Sequence, residues 1–285
     1  MSVCLATGNE RNTDPAEAAE AVPGGVYLCQ VSETVSCGAC CGLYNVADPS
    51  RTALQTMLAK RTARFVRLPR NMDAILDFAV RTESEECQQR PYPDFHHCPY
   101  IGLIGKDRSR VGCLLHPLGG GNAGVDWRGL SHYGGMACRV YFCPATRALE
   151  PRYKKVLRLV LQDWHTFGLI ATERHLVAAL LGVLETRLAR FIDPGAVAES
   201  PAQCEALADL LRIKIDWPHR RRSRHLCHDF FADRMRLPQP AAVRGDNGRD
   251  GAYSVILGEL ETDASCMEAR TDLDRRLAAA ERALR

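Results

Sequence analysis

The sequence is poor in lysine, with five lysines against 32 arginines, and 34 acidic residues reduce the basic excess to a formal net charge of +3. A chain so nearly neutral has no overall field that would draw it to nucleic acid or to a membrane surface. Long apolar runs are also missing. None approaches the roughly 18 residues needed to span a bilayer, and the most apolar stretch, Leu176 to Leu184, is followed closely by Glu185, Arg187 and Arg190. No self-similarity appears at the period of roughly 20 to 50 residues that marks solenoids and propellers. The first residues, MSVCLATGNERNTDPAEAAEAVPGG, have a short apolar stretch but no basic segment before it, and acidic residues follow soon after. They are not expected to act as a secretory signal, and the expected compartment is the cytoplasm, where thiols stay reduced.

What remains is an ordinary globular composition, 46% hydrophobic and 25% charged over 285 residues, enough for one large or two modest domains. The unusual feature is 13 cysteines. They are too sparse for a small disulfide-stapled scaffold, and an odd number leaves at least one unpaired within the chain. In a reducing compartment, clustered cysteines read as metal ligands or redox groups.

Three regions follow from the pattern. Residues 1–25, rich in Ala, Glu, Pro and Gly, read as a mobile tail. Residues 26–150 form a cysteine-cluster, metal-binding region. Asp48-Pro49 looks like the cap and first residue of a helix carrying Leu54, Met57, Leu58 and Phe65, and a second helix starts at Asn71 with Ile75, Phe78 and Ala79 on one face. From Glu86 to Pro144 no period is sustained, which predicts that something other than an apolar core holds the segment. Residues 151–285 read as helical. Val156, Leu157, Val160, Leu161 and Trp164 form one stripe, and Leu176 to Phe191 form a longer one stopped by Asp193-Pro194-Gly195. Ser200-Pro201-Ala202-Gln203 opens a further helix with Leu207, Leu210 and Leu211 inward. Residues 237–251 read as a loop, and a last helix is expected from about Thr262 to Arg285. The fold class expected is mostly α, with an irregular, metal-supported N-terminal half packed on a helical C-terminal half.

Nine of the cysteines lie between Cys29 and Cys143. In Ser36-Cys37-Gly38-Ala39-Cys40-Cys41-Gly42, a C-x-x-C spacing lets two thiolates reach one metal from a tight turn, while the small residues let backbone amides point at sulfur. Adjacent Cys40 and Cys41 diverge, so they suit two sites, or one ion and a supporting role. Cys98 follows in His96-His97-Cys98-Pro99, Cys113 in Gly112-Cys113-Leu114-Leu115-His116-Pro117, and Cys138 and Cys143 in Cys138-Arg139-Val140-Tyr141-Phe142-Cys143-Pro144. Cys37, Cys40, Cys41, Cys98, Cys113, Cys138 and Cys143 are the expected ligands. Either Cys29 or His116 would bring them to eight, enough for two four-ligand sites. Zinc, or iron as an ion or an iron-sulfur cluster, accepts this inventory.

The order Cys-Gly-x-Cys-Cys, Cys-Pro, Gly-Cys-x-x-x-x-Pro and Cys-Arg-x-Tyr/Phe-x-Cys resembles the CxxCxxCC, or YkgJ-type, cysteine-cluster family of zinc- or iron-chelating proteins, over about Cys37 to Cys143. Two positions depart from that pattern. Thr34 stands where the family usually has a cysteine, and His116-Pro117 stands where it has Arg-Pro. The resemblance implies metal chelation by these cysteines and supplies no reaction. Flagellin lysine methylases have distantly similar clusters, but no cofactor-binding motif accompanies the cysteines here.

The other features have plainer readings. Cys4, Cys87, Cys204 and Cys266 are expected to fill core space as small hydrophobes, and Cys227 to need no chemistry beyond packing or exposure. Gly119 to Gly124 lacks the Lys-Ser/Thr of a phosphate loop, and the segment Leu118 to Gly135 is a candidate lid, with Arg139 and Tyr141 near the ligands by sequence. Arg220 to Arg224 reads as a solvated helix end, with nucleic-acid binding a minor alternative. His165 and His175 read as hydrogen-bonded histidines at helix packing edges. The function expected is a cytoplasmic metal-chelating cysteine-cluster protein. The competing class is a non-catalytic interaction module in which zinc holds the fold and the helical half binds a protein partner.

Overall fold

A computed structural model describes residues 22–86, 90–221, 230–231 and 248–285. Most of the expected tail lies outside these residues, as do Cys4, Cys87, Arg222, Ser223, Arg224, His225, Cys227 and His228. The end of the tail is anchored: Pro23–Gly25 form a 3-10 turn, and the buried Lys154 ammonium donates to the Pro23 carbonyl.

The described residues are mostly helical, with 59% helix and 4% strand. The N-terminal region begins with a bridge between Gln30 and Ser36 and a 3-10 turn over Ala39–Cys41. Helix α1, Arg51–Val66, starts two residues later than expected. Asp48 accepts from the Ser50 amide in a local turn, and Ser50 is the residue that caps the helix, accepting from the Ala53 amide. Helix α2, Met72–Glu85, begins one residue after the expected start at Asn71, which instead caps it by accepting from the Ala74 amide, and buries Ile75 and Phe78. The segment without a sustained period, Glu86 to Pro144, contains an antiparallel hairpin, β1 (Ile101–Ile104) and β2 (Arg110–Cys113), with Ile101 opposite Cys113. Its strands are only four residues long and each contains a glycine, so neither shows a readable alternation. Helix α1 holds β1 through Thr62, whose hydroxyl accepts from the Leu103 amide at 2.8 Å and donates to the Leu103 carbonyl at 3.2 Å. Two short helices follow, α3 (Gly134–Val140) and α4 (Pro144–Ala148).

In the C-terminal region the stripe expected to run from Val156 to Trp164 is broken. Helix α5, Pro151–Val160, ends before Asp163, which caps α6, Trp164–Ala171, by accepting from the His165 and Thr166 amides at 3.0 Å. Trp164 consequently packs with a different apolar cluster from Val156 and Leu157. Helix α7, Arg174–Leu188, stops at Ala189 in the left-handed region, leaving Phe191 71% exposed beneath the Arg152 guanidinium. Asp193 opens a helix, α8 (Pro194–Glu199), and Ser200 caps α9 (Pro201–Asp216) as expected. Helix α10 begins at Gly248 and runs to Glu259, inside the stretch expected as loop, and buries Tyr253, Ile256 and Leu257. Helix α11, Met267–Leu284, buries Ala269, Leu273, Leu277, Ala280 and Leu284, so its thin stripe is fully used. Among the described residues, no single helix is long and apolar enough to cross a membrane.

The apolar clusters draw residues from both regions. Leu28 and Val35 enter the large core built by α5 to α11, while Trp164, Leu169, Phe230 and Phe231 pack with Ala39, Leu43 and Tyr44 beside the cysteines. Tyr44 donates to the Trp164 carbonyl at 3.2 Å, and its ring lies against Gly168, where a Cβ would sit 1.7 Å from the phenolic oxygen. Deeper in the core, Lys214 and Glu173 form a fully buried ion pair at 2.6 Å. Gly168→Ala should therefore wedge the two regions apart and cost about 1–3 kcal/mol, the usual penalty for overpacking, measured as a lower urea midpoint.

Candidate metal centre

The eight thiols between Cys29 and Cys143 that lie among the described residues fall into two groups of four. In the first, the bridge between Gln30 and Ser36 sets Cys37 against Cys29, with the Cys37 amide donating to the Cys29 carbonyl at 2.8 Å. Cys40 comes from the 3-10 turn, and Cys143 sits at the start of α4. All four line one cavity of about 20 Å³, walled by Leu28, Ala39, Tyr141, Ala171 and Thr172, and each interacts electrostatically with others of the group. That volume is about what one water-sized particle needs. These thiols are enveloped by protein yet keep some accessible surface, because they face the cavity.

Cys41, Cys98, Cys113 and Cys138 make the second group. Cys98 donates its amide to the Cys41 carbonyl at 2.8 Å, Cys113 ends β2, and Cys138 is exposed on α3. The groups abut at the adjacent Cys40 and Cys41, whose interaction lowers the Cys40 pKa and raises that of Cys41.

One glycine makes this arrangement possible. Gly42 closes the 3-10 turn at φ 79°, and a Cβ there would lie 2.5 Å from the His96 carbonyl oxygen and 2.8 Å from the His97 Cα. His97 secures the approach, donating from Nδ1 to the Gly42 carbonyl at 2.9 Å while Nε2 meets the buried Arg61 guanidinium at 2.8 Å. Burial, with Arg61 nearby, pushes the His97 pKa down to about 3, so the ring is neutral and committed to this role.

The surroundings of the sulfurs have two opposing effects. Burial pushes Cys29 and Cys98 up to about 12 and Cys113 up to about 11, and also raises Cys37 and Cys143. Against this, backbone amides are aimed at the sulfurs: Ala39 at Cys37, Tyr100 at Cys98, Leu115 and His116 at Cys113, and Ala145 and Thr146 at Cys143. Such donors favour the thiolate. Cations stand close by, Lys154 near Cys143, Arg61 near Cys98, and Arg128 near Cys113 and Cys138. Cys204 differs: its thiol donates to the Val197 carbonyl at 3.1 Å, as a neutral S–H does.

Each of the seven cysteines singled out by spacing belongs to one of the two groups, and Cys29 completes the first. His116 instead accepts from the Leu118 amide at 3.2 Å in a turn. His96 stacks on His132 with ring centroids 4.0 Å apart, a contact that spacing could not reveal. His165 meets the Pro49 carbonyl at 2.8 Å, and Arg174 donates to His175. In the run Arg220 to Arg224, Arg220 donates to the Lys214 carbonyl and Arg221 pairs with Asp263. The candidate lid is pinned at its start, where Arg70 holds Gly120 and Asn122, and Asn122 donates to Leu114 and His116 carbonyls.

Among the described residues, no three His, Cys, Asp or Glu side chains converge tightly enough to hold a metal ion as they stand. Protonated thiols have no electrostatic reason to converge, and a cation that displaces their protons supplies one. The donor set of each group, four sulfurs with amides and cations around them, fits a four-thiolate metal site. Searches against protein-family models, curated proteins and solved structures find no match to this chain.

Gly42→Ala should destabilise the protein by at least about 2 kcal/mol, from left-handed strain plus the clash, seen as a lower thermal midpoint. A second prediction follows from the raised thiols. Unfolded cysteines ionise near pH 8.5 whereas the folded thiols hold their protons to about 11 and 12, so above pH 8.5 the unfolded state binds fewer protons. Metal-free protein should be fully stable below that pH and lose stability progressively as pH rises through it, in urea titrations from pH 7.5 to 10.

Proposed function

We propose that this protein binds metal through two four-cysteine sites, one formed by Cys29, Cys37, Cys40 and Cys143 and the other by Cys41, Cys98, Cys113 and Cys138. The observation that carries this reading is the sorting of eight thiols into two quartets, with backbone amides directed at the sulfurs of Cys37, Cys98, Cys113 and Cys143. A core that used cysteine only as a small hydrophobe would need neither the grouping nor the donors. The metal is zinc or iron, with an iron-sulfur cluster included in the iron case, because thiolates suit both. The resemblance to the CxxCxxCC family supports the same chemistry.

When bound, the metal supplies positive charge that keeps the sulfurs ionised. The residues of the chain do the rest. The amides orient the sulfurs, Gly42 and His97 hold Cys41 beside Cys98, and Lys154, Arg61 and Arg128 offset the excess negative charge of a four-thiolate site. The elements that carry the ligands are short, and a metal would tie them to one another and to the helices, as structural metal sites do in small domains.

Anaerobic purification followed by metal and acid-labile sulfide analysis tests this directly. Two zinc ions per chain, or iron with sulfide, is the expected result. Cys40→Ser should remove the metal of the first quartet only and Cys41→Ser that of the second only. A folded protein without metal, or one in which both substitutions leave the content unchanged, would show the assignment to be wrong.

A further inference from the structure

The two quartets differ in how they are enclosed. Three ligands of the second, Cys41, Cys98 and Cys113, come from elements packed on the apolar cluster around Phe65, Phe78 and Tyr100. The fourth, Cys138, rides on α3, a helix with no buried residue in which Met136 is 76% exposed. Helix α3 begins at Gly134 with φ 74° and packs mainly on the neighbouring 3-10 turn Trp127–Leu130. The first quartet has no such member, since all four of its thiols face a single cavity. The surroundings of Cys138 are polar. Ser131 Oγ lies 3.5 Å from its sulfur, and Arg128, fixed by two contacts to Asp126 at 2.8 and 2.7 Å, stands beside both Cys138 and Cys113.

We infer that the second quartet is an open metal site whose fourth position exchanges between Cys138 and a small anionic ligand from solution, while the first is a closed, permanent site. This rests on the metal reading above. In the exchange, the bond from metal to the Cys138 sulfur breaks and the released thiolate takes a proton from water. The incoming anion donates its electron pair to the metal, with Arg128 opposite its charge. Sites that act on outside molecules keep such a position, and sites that only hold a fold do not. Detaching Cys138 costs little packing, because α3 buries nothing.

Zinc and cobalt are the probes. With two equivalents of zinc bound, a chromogenic chelator should remove one at least about tenfold faster than the other, and Cys138→Ser, whose second site keeps only Cys41, Cys98 and Cys113, should release its fast equivalent faster still. In the cobalt-loaded protein, azide should shift the visible absorption. The shift should saturate at lower azide in Cys138→Ser, where no thiol competes for the position, and should need about tenfold more azide in Arg128→Gln. Because Cys138 is exposed on a helix without buried residues, its substitution leaves the fold in place, which far-UV circular dichroism verifies. Release of both equivalents in one phase, an azide response whose concentration dependence is unchanged in Cys138→Ser, or uptake of one equivalent or none overturns the open-site inference. The metal reading itself stands or falls separately on the metal found in the protein as purified.

Discussion

The approach of the His96-His97 backbone to Gly42 is the contact on which the cysteine architecture depends. Two adjacent side chains, Cys40 and Cys41, serve different groups, and that requires a tight turn with protein on both sides of it. The left-handed Gly42 closes the turn, and the absence of a Cβ lets the next segment come within van der Waals contact of its Cα. Once there, the Cys98 amide bonds the Cys41 carbonyl and His97 bonds the Gly42 carbonyl, so Cys98 arrives beside Cys41. Cys113 follows because β2 is paired to β1, which begins three residues after Cys98.

The thiols are placed where ionisation is costly and yet is prepared for. Desolvation holds most of them protonated in the absence of metal, while amides and three nearby cations lie where thiolates would need them. A buried cluster with only the first property would be inert core. With only the second, it would repel itself in the absence of metal. On the proposed metal-binding reading, the two properties would make metal uptake and proton release a single event, coupled to the packing of the region.

Several local features were legible in the sequence because they rest on local chemistry. The helix start near Asn71, the Ser200 cap and the stripes of α2, α7 and α9 follow from hydrogen-bonding reach and the 3.6-residue period. Other features were not legible, for identifiable reasons. The hairpin has strands too short to show a period, and the break before Trp164 is made by Asp163, whose capping bonds outweigh continuation of an apolar stripe. Helix α10 starts in a Gly-Asp-Asn composition that ordinarily marks a turn and is drawn into helix by the burial of Tyr253, Ile256 and Leu257.

Within the site, the sequence alone determined which cysteines belong together as a class. Glycine, proline and close spacing around a thiol are local properties, and they separated Cys37 to Cys143 from Cys204 and Cys266. Only the tertiary structure decided how the class divides. Cys29 joins Cys37 through a bridge, Cys143 reaches them from the far end of the region, and His116 is spent on a turn. Four sulfurs drawn from segments more than a hundred residues apart become neighbours only when the chain has packed, because their proximity comes from burial and backbone pairing rather than from spacing.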